Sequence, residues 1–107
     1  MKGFGGGGMQ ALMRQANQMQ TRMKKAQEEL AAREFDATSG GGAIKIVMLG
    51  DYKLKSIEIQ PDVVSGNDRE MLQDLLLTAF NEAVRTVKTT TDDEMAKITG
   101  GFSVPGM

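Results

Sequence analysis

Residues 9–30, MQALMRQANQMQTRMKKAQEEL, carry the most regular apolar pattern in the chain. Apolar residues recur at alternating steps of three and four over three heptads, and polar residues fill the positions between them. This spacing predicts a coiled-coil type of helix over residues 9–33. The apolar positions, which we call the heptad stripe, are Met9, Leu12, Ala16, Met19, Met23, Ala26 and Leu30.

The length of this helix indicates that it needs a partner. At 1.5 Å per residue, residues 9–33 form a helix about 37 Å long, whereas a domain of about 100 residues has a radius of gyration near 13 Å. The helix should therefore extend beyond the core of its own chain, and its heptad stripe needs a cover. The same helix of a second copy is the simplest cover, so the stripe is predicted to be the seam of a homodimer.

After residue 33 the apolar period falls from 3.6 to about two, which is typical of β-strands. In residues 43–49 the alternation places Ile44, Ile46 and Met48 on one face, and residues 53–59 form a second β-rich run. Gly50-Asp51 supplies the turn between these two strands, and residues 34–39 suit a third. Pro61 ends the last strand. The pattern predicts a three-stranded antiparallel sheet.

A second long helix is predicted to begin at Asn67. Asn67 and Glu70 have the spacing of an N-terminal capping box. The apolar residues that follow form a stripe along the helix that is wide enough to cover a small sheet. Met95 and Ile98 continue this pattern, so we expect the helix to continue through Thr89–Thr91 and to end at Gly100-Gly101. The predicted fold is α+β with the order αβββα. The predicted organisation is a flexible Gly-rich arm at residues 1–8, one domain at residues 9–101 and a short tail at residues 102–107.

The composition excludes most enzyme classes. The 107 residues include no His and no Cys, which removes the usual neutral-pH general base, the thiolate nucleophile and the common zinc ligands. Gly3–Gly8 formally fits the dinucleotide motif G-x-G-x-x-G, but no strand precedes it. No stretch approaches the roughly 18 apolar residues of a membrane helix. We therefore expect no enzymatic activity, no cofactor or metal, no small-molecule substrate and no membrane contact.

Charge divides unevenly along the chain although the net charge is only −1. Residues 1–33 hold six basic and two acidic residues, and the rest of the chain carries a net −5. In the predicted helix Arg14, Arg22, Lys24 and Lys25 lie off the heptad stripe and are free to point outward. Such ridges can contact duplex phosphates without reading bases. Ordinary solvation and steering between subunits are the alternatives, and a Met-rich stripe could instead hold the amphipathic helix of a protein partner.

Taken in order, several segments resemble the YbaB/EbfC family of nucleoid-associated proteins. They are a Gly-rich start, Leu12-Met13-Arg14-Gln15-Ala16, Gln18-Met19-Gln20, Gln27-Glu28-Glu29-Leu30, Gly41-Gly42 before a strand, Ile57-Glu58-Ile59 with Pro61 soon after, Asp68-Arg69-Glu70-Met71-Leu72-Gln73-Asp74-Leu75, Ala79-Phe80-Asn81-Glu82-Ala83, and Met95. A cytoplasmic location is expected because the first residues lack the apolar core of a secretion signal. The resemblance implies a nucleoid-associated homodimer whose long helices project like tweezers. It also implies binding to double-stranded DNA, altered DNA conformation and a role in gene regulation. The positions it implies for DNA binding are Arg14, Arg22, Lys24, Lys25, Arg85 and Lys88.

Overall fold

A computed structural model describes the backbone of residues 2–100 and the side chains of residues 8–100. It confirms the α+β class and the order of the long helices and strands, and it adds one short helix. The elements are α1 (Lys2–Ala32), β1 (Glu34–Ser39), β2 (Ile44–Leu49), β3 (Leu54–Ile59), α2 (Pro61–Ser65) and α3 (Arg69–Thr99). The predicted tail at residues 102–107 lies outside the described residues.

The first helix begins earlier than the sequence pattern predicts. α1 begins at Lys2 rather than at Met9, so residues 2–8 of the predicted arm are helical. Each residue added to an existing helix gains one backbone hydrogen bond, and this offsets part of the cost of glycine, about 1 kcal/mol per residue relative to alanine. The flexibility of this segment stays a prediction.

The sheet has the order β1-β2-β3, and both strand pairs are antiparallel. β1 alternates between exposed and buried positions, and Phe35 and Ala37 are among its buried residues. The predicted inward face of β2 is confirmed, because Ile44, Ile46 and Met48 are all buried. These side chains form one wall of the core.

The second wall of the core is α3, which packs over β1 and β2. Its contact line is made of small side chains: Ala79, Ala83 and Val87 are fully buried. Small residues allow the helix axis to approach the sheet closely. At the other end of this line the Ser39 hydroxyl donates a hydrogen bond of 2.6 Å to the Leu75 carbonyl oxygen, which ties β1 to the first turns of α3.

The N-cap of α3 is Asp68 and not the predicted Asn67. The Asp68 carboxylate accepts a hydrogen bond of 3.0 Å from the Met71 backbone N–H, which satisfies one of the free donors of the first turn. Asn67 instead lies in the left-handed region, with φ 59°, a conformation that asparagine tolerates better than most residues. It connects α3 to α2, the short helix that begins at Pro61. The predicted continuation through Thr89–Thr91 and the end of the helix at Gly100 are both confirmed.

α1 is attached to the sheet through its C-terminal end. The Gly50 N–H donates a hydrogen bond of 3.0 Å to the Arg33 carbonyl oxygen, and a Cβ atom at residue 50 would lie 1.7 Å from the Leu30 carbonyl oxygen. Only glycine allows this approach. From this point α1 extends away from the sheet, and the described chain measures 79 × 27 × 15 Å. The prediction that the helix outruns the core is therefore confirmed.

Candidate nucleic-acid interface

The outer surface of α1 presents a row of basic and amide side chains. Arg14, Gln18 and Arg22 follow one another at steps of four residues, so they form a line along the helix, and Lys25 continues it one turn later. At 100° per residue this row points about 135° away from the heptad stripe around the helix axis. Lys24 lies about a third of a turn away from the row. All five side chains are exposed. We call Arg14, Gln18, Arg22 and Lys25 the basic face of α1.

The middle of the basic face is a shallow groove of about 390 Å³ lined by Arg14, Asn17, Gln18, Thr21 and Arg22. The Thr21 hydroxyl donates a hydrogen bond of 2.9 Å to the Asn17 carbonyl oxygen, so it is held against the helix backbone. The amides of Asn17 and Gln18 were not among the predicted site residues. The step of four between Arg14, Gln18 and Arg22 is the sequence signal that identifies Gln18. The groove can offer guanidinium and amide donors to an anion with several oxygen atoms.

The charges on this face have no acidic partner among the described residues. No carboxylate of residues 8–100 forms an ion pair with Arg14, Arg22, Lys24 or Lys25. Along the helix axis Arg14 and Arg22 are about 12 Å apart, which is similar to the width of the major groove of B-DNA, about 12 Å. The positive charge of this face is therefore not neutralised by a carboxylate of the described residues.

The two predicted basic positions on α3 have a different environment. Arg85 forms a double hydrogen bond with the Glu82 carboxylate, and the Lys88 ammonium group lies 3.2 Å from the Asp92 carboxylate. Both pairs are exposed on the helix surface. Each cation is therefore partly neutralised by its own helix, and the structure groups these residues with acidic neighbours rather than with the basic face of α1.

The heptad stripe divides into two halves. Leu30 is buried, and Met19, Met23 and Ala26 are partly buried, because the C-terminal part of α3 packs against this end of α1. Met9, Leu12 and Ala16 are exposed. α3 ends at Thr99, about 18 Å beyond the buried Val87, whereas α1 extends about 42 Å from Leu30 to Lys2. The half of the stripe close to the sheet is thus covered within the chain, and the far half is uncovered.

Features of a metal centre or a membrane span are absent from the residues that the structure describes. Within residues 8–100 no three His, Cys, Asp or Glu side chains lie together as metal ligands would. Neither α1 nor α3, over its described residues, is apolar enough to cross a membrane.

Comparisons with known proteins show that this chain is similar to DNA-binding and nucleoid-associated proteins. Residues 5–102 match the sequence model of the YbaB/EbfC DNA-binding family. A nucleoid-associated protein of Clostridium kluyveri is 50% identical over 105 residues, which cover 97% of this chain and 92% of that protein. A nucleoid-associated protein of Clostridium novyi is 49% identical over 98% of this chain and 93% of its own length. The crystal structure of an uncharacterized protein of Helicobacter pylori, 20% identical, shares the fold with a TM-score of 0.69 over 81% of this chain and 91% of that chain.

Proposed function

Because the chain belongs to the YbaB/EbfC DNA-binding family, we propose that it is a nucleoid-associated protein that binds double-stranded DNA as a homodimer. Binding occurs through the basic face of α1 and has little sequence selectivity. The protein alters the conformation of DNA and thereby influences nucleoid organisation and gene expression in the cytoplasm. The observation that supports this proposal best is the row of cations on α1 that no described carboxylate neutralises.

The affinity is expected to come from the release of counterions. Each phosphate that Lys or Arg neutralises releases condensed cations from the duplex. The side chains of Arg14, Arg22 and Lys25 are long and exposed, so they can follow the phosphate backbone without reading base edges. A homodimer doubles the number of such contacts and presents two projecting helices, like the arms of tweezers. If both helices hold one duplex, the additional contacts can offset the cost of bending it.

Local charge explains how a protein with net charge −1 binds a polyanion. The acidic residues Glu28 and Glu29 lie toward the sheet end of α1, beyond the basic face. With a Debye length of about 8–10 Å at physiological salt, phosphates at Arg14 and Arg22 respond mainly to the nearest charges. Arg85 and Lys88 are secondary contacts in this proposal, because a phosphate must compete with Glu82 and Asp92 for them.

The experiment that tests DNA binding is fluorescence anisotropy of a labelled duplex of about 30 base pairs, titrated at several salt concentrations between about 50 and 200 mM. The test variant carries Arg14→Gln, Arg22→Gln and Lys25→Gln. We expect its affinity to fall about tenfold or more, and its log–log salt slope to become shallower by about one for each phosphate that is no longer neutralised. Duplexes of unrelated sequence should give similar affinities.

The matched control carries Lys45→Gln, Lys53→Gln and Arg69→Gln, which remove the same number of positive charges from exposed positions outside α1. It should bind nearly as well as the unchanged protein. Equal losses in the two variants would show that only net charge matters, and an unchanged slope in the test variant would overturn the assignment of the basic face.

A protein-interaction module is the second candidate function. The exposed far half of the heptad stripe, with Met9 and Leu12, favours it, because such a stripe can hold the amphipathic helix of a partner. The same titration separates the two candidates. Absence of DNA binding even at low salt would favour the protein partner.

A further inference from the structure

The projecting part of α1 has an apolar patch that the chain itself leaves open. Met9, Leu12 and Met13 are 61%, 63% and 59% exposed, and Ala16 is exposed as well. These residues have the spacing i, i+3, i+4 and i+7 of a single helix face. We call them the open patch of α1. The patch continues the heptad stripe toward the N-terminus, away from the half that α3 covers.

Charge is nearly absent around the open patch. Arg14 is the one charged residue among residues 9–20, and at 100° per residue it points about 150° away from the centre of the patch. The side chains that border the patch, Asn17 and Gln20 among them, are neutral. Because charges that flank an apolar stripe select its partner, these neutral borders offer no ion pairs to the charged flanks of an amphipathic helix. They do allow an identical patch to approach without like charges meeting.

We propose that the open patch of α1 joins two DNA-bound homodimers by packing against the open patch of a second copy. The two helices run antiparallel, which keeps their sheets at opposite ends of the pair. Each copy presents the same surface to the other, as in any twofold contact. This inference rests on the DNA-binding homodimer of the proposed function and adds a contact between such dimers.

Pairing through the open patch leaves the cations of α1 accessible. The basic face points about 135° away from the heptad stripe. When two helices pack stripe to stripe, their two basic faces therefore lie on opposite outer sides of the pair. Each basic face can then hold a different segment of DNA, so two joined dimers bridge two duplexes.

The small size of the open patch makes this contact weak in the free protein. A standard interface takes about 20–30 residues from each partner, whereas the open patch has four. Repulsion between the cations of two α1 helices also opposes pairing until phosphates neutralise them. We therefore expect the contact to form between dimers that DNA already holds close together, where the effective concentration is high.

Capture of a second duplex tests the inference. Protein bound to a duplex on beads is mixed with a second, fluorescent duplex, and the captured fluorescence is measured. Leu12→Gln with Met13→Gln should lower the capture at least fivefold. The same variant should bind one free duplex, measured by anisotropy, within about twofold of the unchanged protein, because no charge is removed. Its fold should be retained, since both positions are exposed and glutamine is a good helix former.

The matched control carries Tyr52→Gln with Val64→Gln, which remove two exposed apolar side chains outside α1. It should capture the second duplex as well as the unchanged protein does. Equal losses in the two variants would overturn the assignment of the open patch, as would full capture by the Leu12 and Met13 variant. If the unchanged protein binds one duplex and captures no second, the inference is wrong and the proposed function stands. If it binds no duplex, both are wrong.

Site-specific cross-linking identifies the occupant of the patch. The protein has no Cys, so a single introduced thiol reports one position. With a short bismaleimide, Leu12→Cys should form covalent pairs of chains in a yield that rises severalfold when duplex DNA is added. Tyr52→Cys, which is also exposed, controls for crowding of the protein on DNA and should give few pairs. Equal yields for Leu12→Cys with and without DNA, or equal yields for both thiols on DNA, would overturn the inference.

Discussion

The helices α1 and α3 each contain 31 residues, yet the fold uses them in opposite ways. α3 packs along the sheet and buries Ala79, Ala83 and Val87. Of the described side chains of α1 only Leu30 is buried. The comparison shows that α3 holds the domain together, whereas most of the surface of α1 is left for other molecules.

The same contrast applies to the charges of the two helices. On α3 the side chains of Arg85, Lys88 and Lys97 pair with carboxylates of the same helix. Pairs of this exposed kind contribute only about 0–1 kcal/mol each to stability, so their main effect is to neutralise the surface. Within residues 8–32 of α1 the cations have no such partner. α1 contributes less to the core than α3, and its cations are the ones that remain available for phosphates.

Replacing one alanine of each helix by aspartate gives the largest expected difference in stability. Ala83→Asp places a carboxylate where the side chain is fully buried, and the cost of an unpaired buried charge is comparable with the whole stability of a domain, about 5–15 kcal/mol. We expect this variant to be unfolded. Ala11→Asp, on the exposed surface of α1, should cost less than about 1 kcal/mol. Urea denaturation followed by circular dichroism measures both, and similar midpoints would contradict the division of roles.

Changing Gly50 tests the close approach that attaches α1 to the sheet. A Cβ at this position would overlap the Leu30 carbonyl oxygen, so Gly50→Ala has to shift the end of α1 at a cost of about 1–3 kcal/mol. Gly100→Ala is the control, because a Cβ there meets no atom within 4 Å; it should change stability by less than about 1 kcal/mol. Thermal unfolding of both variants checks this. A loss of stability in the control as large as that in Gly50→Ala would show that the close approach is not the cause.

Removing the acidic partners of Arg85 and Lys88 gives the smallest expected effect, a change in DNA affinity. It tests whether ion pairing is what distinguishes the cations of α3 from those of α1. Glu82→Gln with Asp92→Asn removes the partners of Arg85 and Lys88. Affinity for duplex DNA at about 50 mM salt should rise a fewfold, because two cations on each copy no longer have an intramolecular competitor. Stability should fall by less than about 2 kcal/mol, since each exposed pair is worth about 0–1 kcal/mol.

Asp36→Asn with Glu58→Gln controls for net charge in the same titration. It removes two exposed carboxylates from the sheet, neither of which forms an ion pair with a described cation. An equal rise in affinity in this variant would mean that overall charge, and not the release of Arg85 and Lys88, controls binding.

Several features of the fold could be read directly from the chain. The bounds of β1 at residues 34–39 and the continuation of α3 through Thr89–Thr91 agree with the structure, because both follow from local residue patterns. The N-cap was wrong by one residue, since Asn67 and Asp68 are both good capping residues and only the backbone angle separates them. α2 was missed because five residues are too few to show a helical period.

The candidate site was predictable in part. The exposure of Arg14, Arg22, Lys24 and Lys25 follows from their positions off the heptad stripe. The spacing of Glu82 and Asp92, three and four residues from Arg85 and Lys88, permits the two ion pairs on α3. It does not predict them by itself, because Lys24 and Glu28 have the same spacing on α1 and form no ion pair. No sequence signal predicts the division of the heptad stripe into a covered and an uncovered half, because this division depends on how far α3 extends beside α1.

The two long helices apart from the start of α1, the three strands and the basic face of α1 follow from the order of residues alone, because they depend on the spacing of near neighbours in the chain. Which apolar surfaces remain open depends instead on how the elements pack. Leu30 and Ile57 are both apolar residues in regular patterns, yet Leu30 is buried by packing within the chain and Ile57 is 46% exposed. The physical reason is that a surface is covered only where another element crosses it. α3 crosses β1, β2 and the end of α1, whereas β3 extends beyond its reach.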